Sequence, residues 1–106
     1  MSVSPAIQLR LCFEDLERGR LPLFDAVEAL LKLAEAVPAL EGDRDVAKLA
    51  ALLSSAEHLP IGAAREHWQA EALHQADREL MELERRHRDE VLYAGRRIVA
   101  KADGAS

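Results

Sequence analysis

One cysteine, Cys12, stands in a chain of 106 residues. A lone thiol excludes an internal disulfide framework and suits a reducing compartment. Aromatics are nearly as scarce, with two phenylalanines, one tryptophan and one tyrosine, and strand-favouring runs are almost missing. No stretch approaches the roughly 18 apolar residues that cross a bilayer. The first residues do not follow the basic-then-apolar order of a signal peptide. A soluble, cytoplasmic protein with no membrane partner is therefore expected. The glycines do not gather into a phosphate-cradling loop. Positive charge is short as well, the net charge being −5. A nucleic-acid binder shows a basic face. The only candidate here, Arg85, Arg86, Arg88, Arg96, Arg97 and Lys101, is interrupted by Asp89 and Glu90, so no nucleic-acid partner is expected.

What remains is a composition 49% apolar, dominated by Ala and Leu, which is that of a helical bundle. The length allows one domain, 1–106, with one modest core over about residues 5–101 and disordered ends. Its organising stretch is Leu73 to Ile98. Leu73, Ala76, Leu80, Leu83, His87, Val91, Ala94 and Ile98 recur every three or four positions, a period of about 3.6 that draws one apolar stripe down a long α-helix. Charged residues fill its other faces, and Glu82/Arg86, Glu84/Arg88, Arg85/Asp89 and Arg86/Glu90 stand four apart as candidate ion pairs.

Three shorter helices precede it. Ser4-Pro5 reads as a hydroxyl cap followed by proline in the first turn. Ile7, Leu9, Leu11 and Phe13 alternate as in a strand, yet Leu9, Cys12, Phe13 and Leu16 also share a helical face. With no partner strand downstream, helix is expected, closed by Gly19. Pro22 opens the second helix, with Phe24, Val27, Leu30, Leu31, Ala34 and Val37 on one face, Asp25, Glu28, Lys32 and Glu35 on the other, and Pro38 as its stop. Gly42 turns the chain and Asp43 caps a third helix that should bury Val46, Leu49, Ala50, Leu53 and Ala56. Leu59-Pro60-Ile61-Gly62 is a turn. Residues 63–68 read as a helical lead into the long helix, with a kink near 68–71. The fold class expected is all-α: a small bundle of three short helices packed on one long C-terminal helix.

Catalytic chemistry is hard to find in these residues. No serine has a histidine and carboxylate arranged for nucleophilic attack, a small Leu/Ala core offers little room for a pocket, and Cys12 reads as a structural thiol. Glu71/His74 and Glu84/His87 have the Glu-x-x-His spacing of di-iron bundles. Both fall on one helix, however, about 20 Å apart along its axis; no metal or cofactor is expected, and the protein reads as non-enzymatic. His87, within the apolar seam, is either a hydrogen-bonded seam residue or a pH-sensitive one. Arg65 and Trp68, of the residue types that dominate binding hot spots, are either a partner-docking knob or a plug between the short helices and the long one.

The order Leu-Pro-Ile-Gly-x-x-Arg-x-x-Trp at residues 59–68, followed by Glu71-Ala72-Leu73 and the charged helix to Ile98, resembles a group of small uncharacterised bacterial all-helical proteins. The resemblance covers about 90 residues and is most distinctive over 59–73. It implies a compact helical domain around the Pro-Ile-Gly turn and brings no catalytic residues.

Residues 1–60 hold 6 basic and 10 acidic groups, against 8 and 9 in the remainder. The leading expectation is thus an acidic module that binds another protein, immunity- or antitoxin-like in one form, through Asp25, Glu28, Glu35, Arg65 and Trp68. The alternatives are a self-associating homodimer along a seam of Leu80, Leu83, His87 and Val91, and a small-molecule or metal-binding bundle.

Overall fold

The computed structural model describes residues 3–104, without the side chains of residues 62 and 63. Its elements are α1 (Pro5–Glu17), α2 (Leu23–Ala34), α3 (Arg44–Ser55) and α4 (Ala70–Gly104), with 3-10 turns at Pro38–Leu40 and Gly62–His67 and no strand among the described residues. Three short helices packed on one long helix make an all-α bundle. At about 1.5 Å per residue, the 35 residues of α4 suffice to run the whole of the 46 Å long axis.

Local chemistry sets the ends. The Ile7 N–H donates to Ser4 Oγ at 3.3 Å and Pro5 opens α1. Gly19 (φ 73°) and Gly42 (φ 72°) carry left-handed turns, a conformation that costs other residues about 1 kcal/mol. At α3 the Asp43 carboxylate accepts from the Asp45 and Val46 N–H groups at 2.9 and 3.1 Å.

α1 explains the ambiguity of its own sequence. Leu9, Phe13 and Leu16 are buried, while Ile7 and Leu11 face solvent, so the strand-like alternation comes from two apolar faces on one helix. α2 lies at the centre of the bundle, touching α1, α3 and α4, and buries Leu23, Phe24, Ala26, Val27, Leu30 and Ala34. It stops at Ala34 rather than at Pro38; Val37, steered out of the helical region by the proline that follows, is extended (φ −111°, ψ 102°) yet still buried. In α3, Leu49 and the following Ala56 are fully buried, but Ala50, expected in the core, is exposed. The reason is angular: Ala50 lies a quarter-turn beyond Leu49, past the half-buried Val46 and Leu53.

α1 and α3 flank the C-terminal half of α4, both antiparallel to it. On one side Arg10 meets Asp103 at 2.6 Å and Glu17 meets Arg96 at 3.5 Å. On the other, Asp45 meets Arg97 at 2.9 Å and Lys48 meets Glu90 at 3.4 Å. Gly95 is the point of closest approach, since a Cβ there would stand 2.7 Å from the Phe13 ring. Helix continues through Asp103 and Gly104, where a disordered tail was expected, because the Arg10–Asp103 pair ties that end to α1. Residues 1, 2, 105 and 106 lie outside the described residues.

Two further expectations change. The lead into α4 is a 3-10 turn, and Trp68 is extended (φ −103°, ψ 143°), so the expected kink is a complete break. The four expected i,i+4 pairs do not close among the described residues; Glu90, for one, is taken by Lys48 and His87. The pairs that form on α4 mostly bind it to other elements.

Candidate functional site

The chain reverses over residues 35–43, so α2 and α3 pack side by side as a helical hairpin. Its outer side carries two separate hollows, together the α2–α3 cleft. Near the reversal a hollow of about 510 Å³ is lined by Leu31, Val37, Pro38, Leu40 and Val46, with Glu35 and Glu41 at its edges. Toward the other end a hollow of about 290 Å³ is lined by Leu53, Leu59, Ile61 and Ala64, with Glu28 and Glu57 at its edges. Leu31, Val46, Leu53 and Ile61 are only half-buried. All four glutamates are exposed, and none forms an ion pair among the described residues; Glu57 accepts only a Ser54 hydroxyl at 3.4 Å. Lys32 is the one cation on this face of α2.

Of the residues singled out in the sequence, Glu28 and Glu35 thus sit on the cleft rim. Asp25, one turn earlier, lines a separate cavity of about 130 Å³ with Phe24, Pro60, Arg65, Leu80 and Glu84, well under the roughly 300 Å³ at which small-molecule pockets begin. Burial raises the Glu84 carboxyl above its ordinary range; the nearby Asp25 pushes the same way and Arg88 opposes it. Arg65 is a strut: its guanidinium donates to both Asp77 oxygens, at 2.6 and 3.1 Å, fastening the 3-10 turn to α4. That pairing holds the Asp77 carboxyl below the usual range. Trp68 is not a core plug. It is 37% exposed, because the chain leaves helical geometry at that residue and its ring does not share the α4 stripe.

The expected dimer seam faces inward. Val91 is 0% exposed within a single chain, Leu80 and Leu83 pack against the same core, and half-buried His87 places Nδ1 3.1 Å from Glu90 Oε2 on its own helix. The apolar period is that of the chain's own core, and the short helices and the 59–61 turn are what it meets.

Cys12 is half-buried, with Sγ 4.0 Å from the Ala26 carbonyl; burial, then Asp15, pushes its thiol up, away from the thiolate that nucleophilic chemistry needs. Among the described residues no three of His, Cys, Asp and Glu gather as a metal-holding group. His58 pairs with Glu79 at 2.8 Å, while Glu71 and His74 stand in solvent.

Two features escaped the sequence. Glu41 and Glu57 join the rim from connecting segments, and only the hairpin brings them beside Glu35 and Glu28. Lys101 Nζ donates to Asp43 Oδ2 and Asp45 Oδ2, both at 2.6 Å, across 58 and 56 positions that no local pattern spans.

No family model, curated protein or solved structure matches this chain. No described helix is long and apolar enough to cross a membrane.

Proposed function

We propose that the protein is a non-enzymatic binding module whose α2–α3 cleft receives a basic amphipathic segment of another protein. The observation that carries this reading is the rim: Glu28, Glu35, Glu41 and Glu57, exposed and without ion pairs among the described residues, around two hollows floored by aliphatic side chains. A partner with Leu or Ile on one face and Lys or Arg beside it would cover the floor and meet the rim. Opposite charge would speed that encounter more than it would tighten the complex. An immunity-like protein that covers a basic toxin is one form such a module takes.

A labelled Leu/Lys helical peptide tests the reading by fluorescence anisotropy. Binding should be saturable, and reversing all four rim glutamates to lysine should weaken it by about tenfold or more, since each exposed pair contributes a few tenths of a kcal/mol and 1.4 kcal/mol is tenfold. Equal binding to wild type and to the reversed variant would remove the cleft from the function.

Self-association is the second reading, and α1 favours it. Ile7 and Leu11, four residues apart on its outer face, are 44% and 52% exposed, and Val3, just ahead of its N-cap, is 47% exposed. A second copy packing on this stripe would appear in sedimentation as a dimer that Ile7→Glu/Leu11→Glu dissociates. Sedimentation of wild type as a monomer at high concentration would set this reading aside.

A further inference from the structure

We infer a second docking surface, on the uncovered side of α4, that takes an acidic amphipathic helix. On a helix of 3.6 residues per turn, His74, Arg78, Met81, Arg85 and Arg88 fall within a sector about 80° wide. All five are exposed, Met81 at 59%. A shallow groove of about 260 Å³ runs between Arg78, Met81, Glu82 and Arg85. No residue from His74 to Val99 places a carboxylate inside the sector. Arg78, Arg85 and Arg88 have no ion pair among the described residues, although Arg88 feels the charge of Glu84.

The same sector continues through Leu92, Arg96 and Val99, and there it is already occupied. α1 lies antiparallel to α4 there, Leu92 and Val99 are half-buried against the core, and Glu17 meets Arg96. α1 ends at Glu17 and the chain turns away at Gly19, which leaves the stretch from His74 to Arg88 open, about 21 Å of helix. The chain therefore shows on itself that an amphipathic helix seats on this sector, with Glu17 against Arg96 and, further along, Arg10 against Asp103; on the open stretch only cations await a partner. A partner helix in line with α1 would set apolar side chains on Met81 and carboxylates on Arg78, Arg85 and Arg88.

The borders of the sector choose the class of partner. Glu71, Glu82 and Asp89 stand along one edge, and Asp77 and Glu84 along the other, Asp77 being held by Arg65. A duplex nucleic acid is anionic across its whole width and would meet those carboxylates. A helix with a central acidic line and Lys or Arg on its flanks would be matched on all three lines, as charged flanks select partners in coiled coils.

The probe is a fluorescein-labelled 18-residue Glu/Leu/Lys helical peptide of that pattern, titrated with the full chain. A second peptide with Lys in the central line, and a 20-base-pair duplex, serve as competitors. Saturable binding of the acidic peptide is expected, weakened about tenfold by Arg78→Glu/Arg85→Glu/Arg88→Glu and unchanged by Arg86→Glu, which lies outside the sector. Circular dichroism of both variants should match wild type, because every altered side chain is exposed. Reversal of the rim glutamates on the α2–α3 cleft should leave this binding intact, which separates it from the function proposed above. The inference is overturned if the acidic peptide fails to bind, if the duplex binds in its place, if Arg86→Glu costs as much as the triple reversal, or if sedimentation shows a second copy of this chain on the sector.

Discussion

Replacing Asp43 tests how the end of α4 is fastened to the rest of the bundle. Its carboxylate has two tasks: Oδ1 accepts the first backbone N–H groups of α3, and Oδ2 accepts Lys101 Nζ at 2.6 Å, beside Asp45. Asp43 and Asp45 keep only 10% and 13% of their side-chain surface, and Lys101 33%, so the cluster is shielded compared with an ordinary surface pair. Losing an N-cap costs about 1 kcal/mol, and losing a partly shielded charged hydrogen bond about another 1 kcal/mol. Asp43→Ala should therefore lose about 2 kcal/mol, whereas Asp43→Asn, an equally good cap, should lose only about 1 kcal/mol. At the usual sensitivity of a domain this size, Asp43→Ala lowers the thermal midpoint by about 10 °C and Asp43→Asn by about half as much. Circular dichroism melts read both.

The pH dependence has a defined sign. Burial pushes the Asp43 carboxyl up, but Lys101 and the Val46 and Asp45 N–H groups together outweigh it and leave it below its ordinary range. Lys101, then Arg97, lower Asp45, and the two aspartates raise Lys101. Carboxylates lowered in the folded state stabilise it above their unfolded range, about pH 4, and that contribution goes as pH falls through the folded values. A raised lysine stabilises below about pH 10.4 and loses its contribution as pH rises through its folded value. Lys101→Met should therefore remove the alkaline loss and shrink the acid one. Equal melts for Asp43→Ala and Asp43→Asn would refute the capping role, and a Lys101→Met variant with wild-type pH dependence would refute the pairing.

Two more substitutions probe the packing that positions the surfaces. Gly95→Ala adds a methyl 2.7 and 2.8 Å from the Phe13 ring; the helix gains about 1 kcal/mol of propensity and loses about 1–3 kcal/mol to overpacking, so urea unfolding should show net destabilisation of about 1 kcal/mol, and a more stable variant would mean that the ring yields freely. Arg65→Ala releases Asp77 and the 3-10 turn, so hydrogen exchange should quicken over residues 59–67 and stay unchanged in α1; uniform exchange would show that the strut holds nothing.

The features legible in the sequence are those with local causes. The period from Leu73 to Ile98 could be read because a helix repeats its own face, and Ser4-Pro5, Gly19, Gly42 and Asp43 could be read because caps and left-handed turns are set within a few residues. What escaped was the partner of each face. The seam at Leu80, Leu83 and Val91 is apolar whether its cover comes from the same chain or another, and Ile7 and Leu11 are aliphatic on the side that received no cover. Candidate i,i+4 pairs were correctly spaced, but Lys48 reaches Glu90 from another helix and takes it away. Glu28 and Glu35 were visible as a solvent face; their joining with Glu41 and Glu57 depends on the α2–α3 hairpin, which spacing does not encode.

The central claim is that the α2–α3 cleft is the binding surface. The measurement that tests it most directly is the amide NMR spectrum of the labelled full chain, followed as the Leu/Lys helical peptide is added. Shifts should concentrate on residues 28–46 and 53–61, saturate together, and vanish in the variant with Glu28, Glu35, Glu41 and Glu57 reversed to lysine. Shifts that fall elsewhere on the molecule, or that persist in the reversed variant, would contradict it.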